Sequence, residues 1–516
     1  MPPPPRSLER MYLGPPGRNP LMFFEWNSAD PARKAKQSWW KRFQTTLPEL
    51  ERLGFTLIWL PPPNKAMGKS GQGYDAYDLW DLGEFNQKGT VSTRWGTKAE
   101  LQTAVAAAEK RNISVLIDAV LNHKMGADRT EKVQVVKVDQ RNRLRTIGPV
   151  KEIVAWTGFD FPGRTRGPTS TIPSTMRWDA RHFNGVDYTK GDTGIFRFHG
   201  KEWSHFVDLE LGNYDYLLGV NIDHTNPDVR EDLLRWGPWV LNTVSARGFR
   251  LDAIKHYDYT FTRDFLKTCR STVSTDIFAV GEYWTGDANI LEERLHRFEG
   301  TMALFDVSLH NNFFTASKAT RESSIDLRKI LLGSLTERCP ADSVTFVDNH
   351  DTMPGQMLES FVDAKFKLIA YAMILLRPAG FPCVFYGDLF EDGRQYNPHV
   401  AEVLRKLILA RLHHAYGANT DHFVSRNCIG WFREGDDAHP GGCAVVLATD
   451  YRNLSNKRAP TCVMYLGQSR SGQRFRLLFG EIESSDTSDV VVNSKGVGSF
   501  TSRGQVAVWV PASDAA

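Results

Sequence analysis

The chain has 516 residues, 41% hydrophobic and 24% charged, with a formal net charge of +3. Those are the proportions of an ordinary globular protein, and no run approaches the ~18 apolar residues that span a bilayer, so no membrane partner is expected. So small a net charge, with no Lys/Arg block, likewise argues against a nucleic-acid partner.

At this length one large catalytic unit and one or two smaller ones are expected. The leading MPPPPRSLERMYLGPPGRNP has no apolar core segment and places proline where a signal peptide needs helix formers. The expected location is therefore cytoplasmic. Cys269, Cys339, Cys383, Cys428, Cys443 and Cys462 show no CxxC or metal-ligand spacing, which reads as reduced, mostly buried thiols without disulfides. In that compartment the sequons at Asn112 and Asn453 stay unused.

Eight short apolar runs follow in order: LMFFEW (Leu21 to Trp26), FTLIWL (Phe55 to Leu60), SVLIDAV (Ser114 to Val120), GFRLDAI (Gly248 to Ile254), DIFAVGEY (Asp276 to Tyr283), ALFDV (Ala303 to Val307), SVTFVD (Ser343 to Asp348) and PCVFYG (Pro382 to Gly387). Continuous apolar character is the mark of strands buried on both faces. Helical patterns lie between most of them, among them Ser38 to Gly54, Lys98 to Asn112 and Pro227 to Gly248. Eight such alternations predict an α/β fold, a parallel (β/α)8 TIM barrel. The alternative, a doubly wound open sheet, lacks a dinucleotide glycine fingerprint. Its nearest P-loop candidate, GKS at Gly68 to Ser70, fails because Pro63 stands where glycine is required.

From Lys124 to Thr225 the connection after the third run is far too long for a βα loop, and a loop of that length is a lid or a small inserted domain. Beyond about Asn419, short β-type runs separated by Gly, Asp, Ser and Asn clusters predict a C-terminal antiparallel β-sandwich. The expected division is residues 1–124 with 226–419 for the barrel, 125–225 for the insert and 420–516 for the C-terminal unit.

Barrel enzymes place reacting groups where strands end. The third run ends in Asp118, Asn122 and His123, the fourth carries Arg250 and Asp252, the fifth ends in Glu282 and the seventh in His350 and Asp351. Three carboxylates beside an arginine and two histidines suit glycosidic cleavage, where one carboxylate attacks and one carboxylic acid protonates. A lone Asp at a strand end is ordinarily a cap or turn residue. That reading would have to hold separately for three residues here.

DAVLNH (Asp118 to His123), GFRLDAIKH (Gly248 to His256), GEYW (Gly281 to Trp284) and FVDNHD (Phe346 to Asp351) resemble, in order, the four signature segments of glycoside hydrolase family 13, the α-amylase family. The likeness extends over GYDAYDLWDLGEF (Gly73 to Phe85), the long insert and the tail, and is greatest to the liquefying bacterial and intracellular fungal group. It implies Asp252 as nucleophile, Glu282 as general acid/base and Asp351 as the third carboxylate. Arg250 would hold Asp252 ionised, and His123 and His350 would bind sugar hydroxyls. Tyr74 would stack under the sugar being cleaved. Lys255, His256 and Trp284 would line the leaving-group side, with Asp118 a structural hydrogen-bonder below.

The same resemblance implies calcium where the insert meets the barrel. Asn122, Asp215 and the His256 carbonyl match its ligands, but Asn221 replaces a carboxylate, and Asn184, Ser204 and Thr225 stand where relatives carry further aspartates. Calcium affinity rises with the number of anionic ligands, so the expectation is at most one calcium ion, none of it obligatory.

The reaction expected is endo-hydrolysis of α-1,4-glucans (starch, glycogen or maltooligosaccharides) with retention, by a monomer. Two other readings stay open. One is 4-α-glucanotransfer with the same residues, and the other a non-catalytic carbohydrate-binding protein, a class that loses the carboxylates this chain keeps.

Overall fold

A computed structural model describes residues 20–25, 28, 37–164, 172–319, 325–391, 393–449, 459–480, 489–502 and 504–514. Trp26 and Asn453, named above, lie outside the described residues.

The eight apolar runs form the strands β1 (Pro20–Met22), β2 (Leu57–Trp59), β3 (Ser114–Ala119), β4 (Gly248–Leu251), β5 (Phe278–Gly281), β6 (Ala303–Phe305), β7 (Ser343–Phe346) and β8 (Phe381–Phe385). They pair in parallel around a closed barrel, each beside its neighbour in sequence, with β8 returning to β1. Their side chains are almost all buried, because the barrel interior and the surrounding helices cover both faces.

The helices α1 (Trp39–Arg52), α2 (Lys98–Glu109) and α3 (Pro227–Val244) fall where the 3.6-residue pattern placed them. Ser38 caps α1, a Thr97–Glu100 capping box opens α2, and Asn226 followed by Pro227 opens α3. Each satisfies amides that the first helical turn leaves without partners.

The long insert is itself an antiparallel sheet. Its strands His123–Lys124, Arg129–Asp139, Asn142–Thr146, Lys151–Gly158, Phe183–Thr189, Asp192–Phe198 and Val220–Ile222 form one seven-stranded arrangement. His123–Lys124 pairs with Val220–Ile222, so the sheet closes directly beneath its own point of departure from β3. A buried bidentate contact from Arg164 to Asp78 and the Lys124 ammonium, bonded to the Tyr77 carbonyl at 3.1 Å and set over the Trp178 ring, fasten it to the barrel loop after β2.

The C-terminal sandwich sets a six-stranded antiparallel sheet against the pair Thr461–Tyr465 and Val497–Thr501. Its core gathers Phe432, Val446, Phe475, Phe500 and Trp509. Trp431 and Arg433 donate to the Leu376 carbonyl and anchor it to the barrel. All six cysteines are free, five of them buried.

Candidate active site

Register places the acidic residues before any loop does. Arg250 on β4 lies opposite Asp118 on β3, and Leu251 opposite Gly281 on β5. The next residues of the last pair are Asp252 and Glu282, so their α-carbons leave the barrel from adjacent strands, which are ~4.8 Å apart. The buried Arg250 guanidinium bridges them. Nη1 donates to Asp252 Oδ1 and Asp118 Oδ1, both at 2.8 Å, and Nη2 lies 2.7 Å from Glu282 Oε2.

Three carboxyls thus meet one cation, with Asp351 close by as a fourth. Burial pushes Asp252 well above the usual carboxylate range, opposed by Arg250 and reinforced by Glu282. Burial, then Glu282, raises Asp351 to about 7. The cluster cannot be fully ionised at neutral pH, and its proton is a shared property of the group.

Glu282 is held on one oxygen only. Oε2 also accepts the Ala253 amide at 3.2 Å, while Oε1 is buried with no hydrogen-bond partner among the described residues. Ala253 presents that amide from a left-handed conformation, φ 49°, which a side chain with Cβ occupies at a cost of ~1–2 kcal/mol. Strain of this kind persists where surrounding structure over-determines it.

Below the mouth, Asp118 accepts from Trp59 Nε1 at 2.8 Å, Tyr74 Oη at 2.7 Å and Arg250. The Tyr74 ring lies parallel to His350, 5.1 Å away, and His350 Nε2 stands 3.4 Å from Asp351 Oδ2. Burial and Arg250 drive His350 well below its ordinary value, and burial lowers His123 to about 4, so both imidazoles are neutral near pH 7. His123 Nε2 meets the Tyr74 carbonyl at 2.8 Å and Nδ1 the Asn122 amide at 3.2 Å. A sugar hydroxyl on His123 therefore has to displace one of these.

Above the carboxyls opens a cavity of about 600 Å³ lined by Tyr74, His123, Asp252, Lys255, His256, Glu282, Trp284 and Asp351. Lys255 Nζ pairs with Glu210 and donates to the Trp284 carbonyl at 3.2 Å. The His256 ring packs edge-on against Tyr214 at 4.3 Å.

Ala253 and Thr285, Glu210, Tyr214, Leu217 and Leu218 from the insert, and Met357 and Leu358 from the loop after β7 complete the wall. Sequence reasoning missed these eight. They sit in irregular backbone, and the clustered aromatic and acidic residues of ELGNYDYLL were the sole cue. Next to Leu218, residues Gly219 and Val220 begin a second groove of about 350 Å³ that carries the half-exposed Trp156 and Tyr188.

Of the implied calcium ligands, Asn122, Asn221 and Asp215 gather at the junction of insert and barrel. The His256 ring, its Nδ1 3.2 Å from the Tyr214 carbonyl, takes no part, since the ligand implied there is the backbone carbonyl. Asn122 Oδ1 and Asn221 Oδ1 are buried and without hydrogen-bond partners among the described residues. Asp215, raised to about 7 by burial, accepts from the Asn184 amide and Ser204 N–H, both at 2.8 Å. Two orphaned carbonyl oxygens beside a carboxylate are hard donors that fit one cation. The charge is that of a weak site, and no group of three or more His, Cys, Asp or Glu that could hold a metal occurs among the described residues.

The chain is 42% identical over 95% of its length, and 86% of the other's, to an α-amylase of Geobacillus stearothermophilus. To the cytoplasmic α-amylase of Escherichia coli it is 36% identical, across 96% of this chain and 99% of that one. Among solved structures, an α-amylase of Geobacillus thermoleovorans complexed with acarbose superposes with a TM-score of 0.62 at 17% identity, covering 96% and 98% of the two chains. The chain matches no family model.

Proposed function

The chain belongs to the α-amylase family, glycoside hydrolase family 13, and is an enzyme that hydrolyses α-1,4-glucosidic bonds; from that premise we propose an endo-acting, retaining mechanism through a covalent glycosyl-Asp252 intermediate. The observation that carries it is the Arg250 bridge between Asp252 and Glu282 on register-paired strands. A guanidinium that reaches both carboxyls, 2.8 Å from Asp252 and 2.7 Å from Glu282, supports the close pairing of retaining glycosidases, ~5–5.5 Å, over the ~6.5–9.5 Å of inverting ones.

In the productive protonation state Asp252 is ionised against Arg250 and Glu282 carries the proton. Asp252 attacks the anomeric carbon as Glu282, from its unengaged Oε1, protonates the departing glycosidic oxygen. Glu282, now ionised, takes a proton from water, which attacks the same carbon and releases Asp252. Asp351 and His350 hold hydroxyls of the distorted sugar on the Tyr74 ring, and Lys255, His256 and Trp284 face the departing segment. The groove with Trp156 and Tyr188, whose lining begins at Gly219, the residue after Leu218 of the cavity wall, would extend the bed for longer chains, since flat sugar faces pack on aromatic rings. That extension favours internal cleavage of starch, glycogen or maltooligosaccharides.

The reaction needs no cofactor. Asn122, Asn221 and Asp215 would hold a single calcium ion, whose charge braces the insert against the barrel. We further propose the three-unit division 1–124 with 226–419, 125–225 and 420–516, a monomer, and cytoplasmic action, the last supported by the location in the E. coli relative's name. Among the described residues no helix is long and apolar enough to cross a membrane.

A timed product profile on maltoheptaose, with NMR of freshly released ends, tests the mechanism. Short products born as the α-anomer are expected. β-Anomers would overturn retention, and products longer than the substrate would make the enzyme a glucanotransferase.

A further inference from the structure

Five of the six cysteines are packed as inert apolar residues, but two of these five meet each other. Cys428 opens a strand of the six-stranded sheet in the C-terminal sandwich, Cys462 lies on the facing two-stranded sheet, and their sulfurs are 3.7 Å apart. Both are buried, at 6% and 0% exposure, in the same core. The second contact of Cys462 is the His422 carbonyl at 3.8 Å. Neither thiol belongs to the reaction site.

We propose that Cys428 and Cys462 form a reversible modification site, closing to an intramolecular disulfide that ties the two sheets of the sandwich when the chain meets a small-molecule disulfide such as oxidised glutathione. Contact across facing sheets differs from two cysteines that merely share a core. Closing requires the sulfurs to approach from 3.7 Å to ~2.05 Å.

The chemistry is two exchanges. The Cys428 thiolate attacks one sulfur of the small disulfide, that S–S bond breaks, and one small thiolate leaves. The Cys462 thiol loses its proton to solvent and its thiolate attacks the Cys428 sulfur, expelling the second small thiolate. Two protein thiols are oxidised and one disulfide is reduced to two thiols. The contact with Cys462 holds the Cys428 thiol below its ordinary value, which eases the first step.

The site adjoins the catalytic unit. Arg426, two residues before Cys428, accepts the Leu327 amide on its carbonyl at 2.8 Å, and its guanidinium donates to the Ile325 carbonyl. A cross-link there stiffens the turn through which sandwich and barrel meet.

The test equilibrates the reduced, full-length protein with oxidised glutathione, followed by thiol counting in denaturant, non-reducing tryptic mass spectrometry and calorimetry. Two of six thiols should vanish, joining the peptides Asn427–Arg433 and Ala459–Arg470. The melting midpoint should rise by ~5 °C and fall back with dithiothreitol. Cys428→Ser and, separately, Cys462→Ala should abolish both changes while hydrolysis by the reduced enzyme stays as in the parent. Six thiols remaining, glutathione adducts without the linked peptides, or a link through another cysteine overturns the proposal. The wild-type measurement decides it even where a variant does not fold.

Discussion

The two ends of the chain that leaves β3 are opposites in charge. At the mouth, three carboxyls crowd one guanidinium and a fourth stands near. Where the insert returns to the barrel, the Asp215 carboxylate sits among amides, with no side-chain cation bonded to it among the described residues. The mouth gathers excess negative charge around a fixed cation, the arrangement needed to hold a proton and a nucleophile together. The junction keeps shape with neutral hydrogen bonds. The proposed chemistry depends on the first balance and the packing around Asp215 on the second, while the Arg164–Asp78 pair and Lys124 fasten the insert to the loop after β2.

The most severe way to break the mouth is Asp252→Asn. It should lower maltoheptaose hydrolysis by ~10⁴-fold or more while oligosaccharide affinity, by calorimetry, stays within a few-fold. Undiminished turnover would remove Asp252 from the reaction. Arg250→Leu should strip the cluster of its cation and destabilise the fold by ~3–5 kcal/mol in urea titration, because it leaves buried carboxyls without their partner.

At the junction, Asn184→Ala removes one amide donor from Asp215 and should cost ~1–3 kcal/mol, with kcat on short substrates unchanged. A kcat loss equal to that of a mouth variant would erase the distinction between the regions.

Acidity sharpens the comparison further. Asp351 keeps its proton in the folded chain up to about 7, against 3.8 for an ordinary aspartate. Between those values the folded state binds the proton that the unfolded state releases. Rising pH through that window therefore weakens folding, by at most ~1.4 kcal/mol per pH unit. Asp351→Asn should reduce this slope in melting curves taken from pH 4 to 8, leaving the part that Asp252 and Asp215 contribute, and an unchanged slope would assign the proton elsewhere. The smallest effect is expected from chelator. With a single carboxylate at the junction, activity should stay within about twofold, and added calcium should raise the melting midpoint only at ~10⁻⁴–10⁻³ M. A large, calcium-reversible loss would show a strongly held ion.

Legibility followed periodicity. The eight strands were readable because burial on both faces leaves unbroken apolar runs, and Asp252, Glu282 and Asp351 because strand ends are where a barrel exposes polar groups. The insert was recognised by its length, yet the alternation in EKVQVVKVD, which becomes the Arg129–Asp139 strand, went unread. Glu210 and Met357 were invisible, since their placement in the wall comes from irregular loops. The contact of Cys428 with Cys462 could not be foreseen either. Thirty-four residues separate them, and only the face-to-face stacking of the sheets brings their sulfurs together.

The alignment of Leu251 with Gly281 has a consequence for how such a catalyst can change. Bond-breaking geometry is written into the backbone ladder of two neighbouring strands, whereas the walls that select and hold the glucan come from the insert and the loop after β7. On the proposed assignment, grafting a different insert onto this barrel should alter chain-length appetite and leave the cut itself intact, so that substrate range and chemistry could diverge along separate evolutionary or engineering routes.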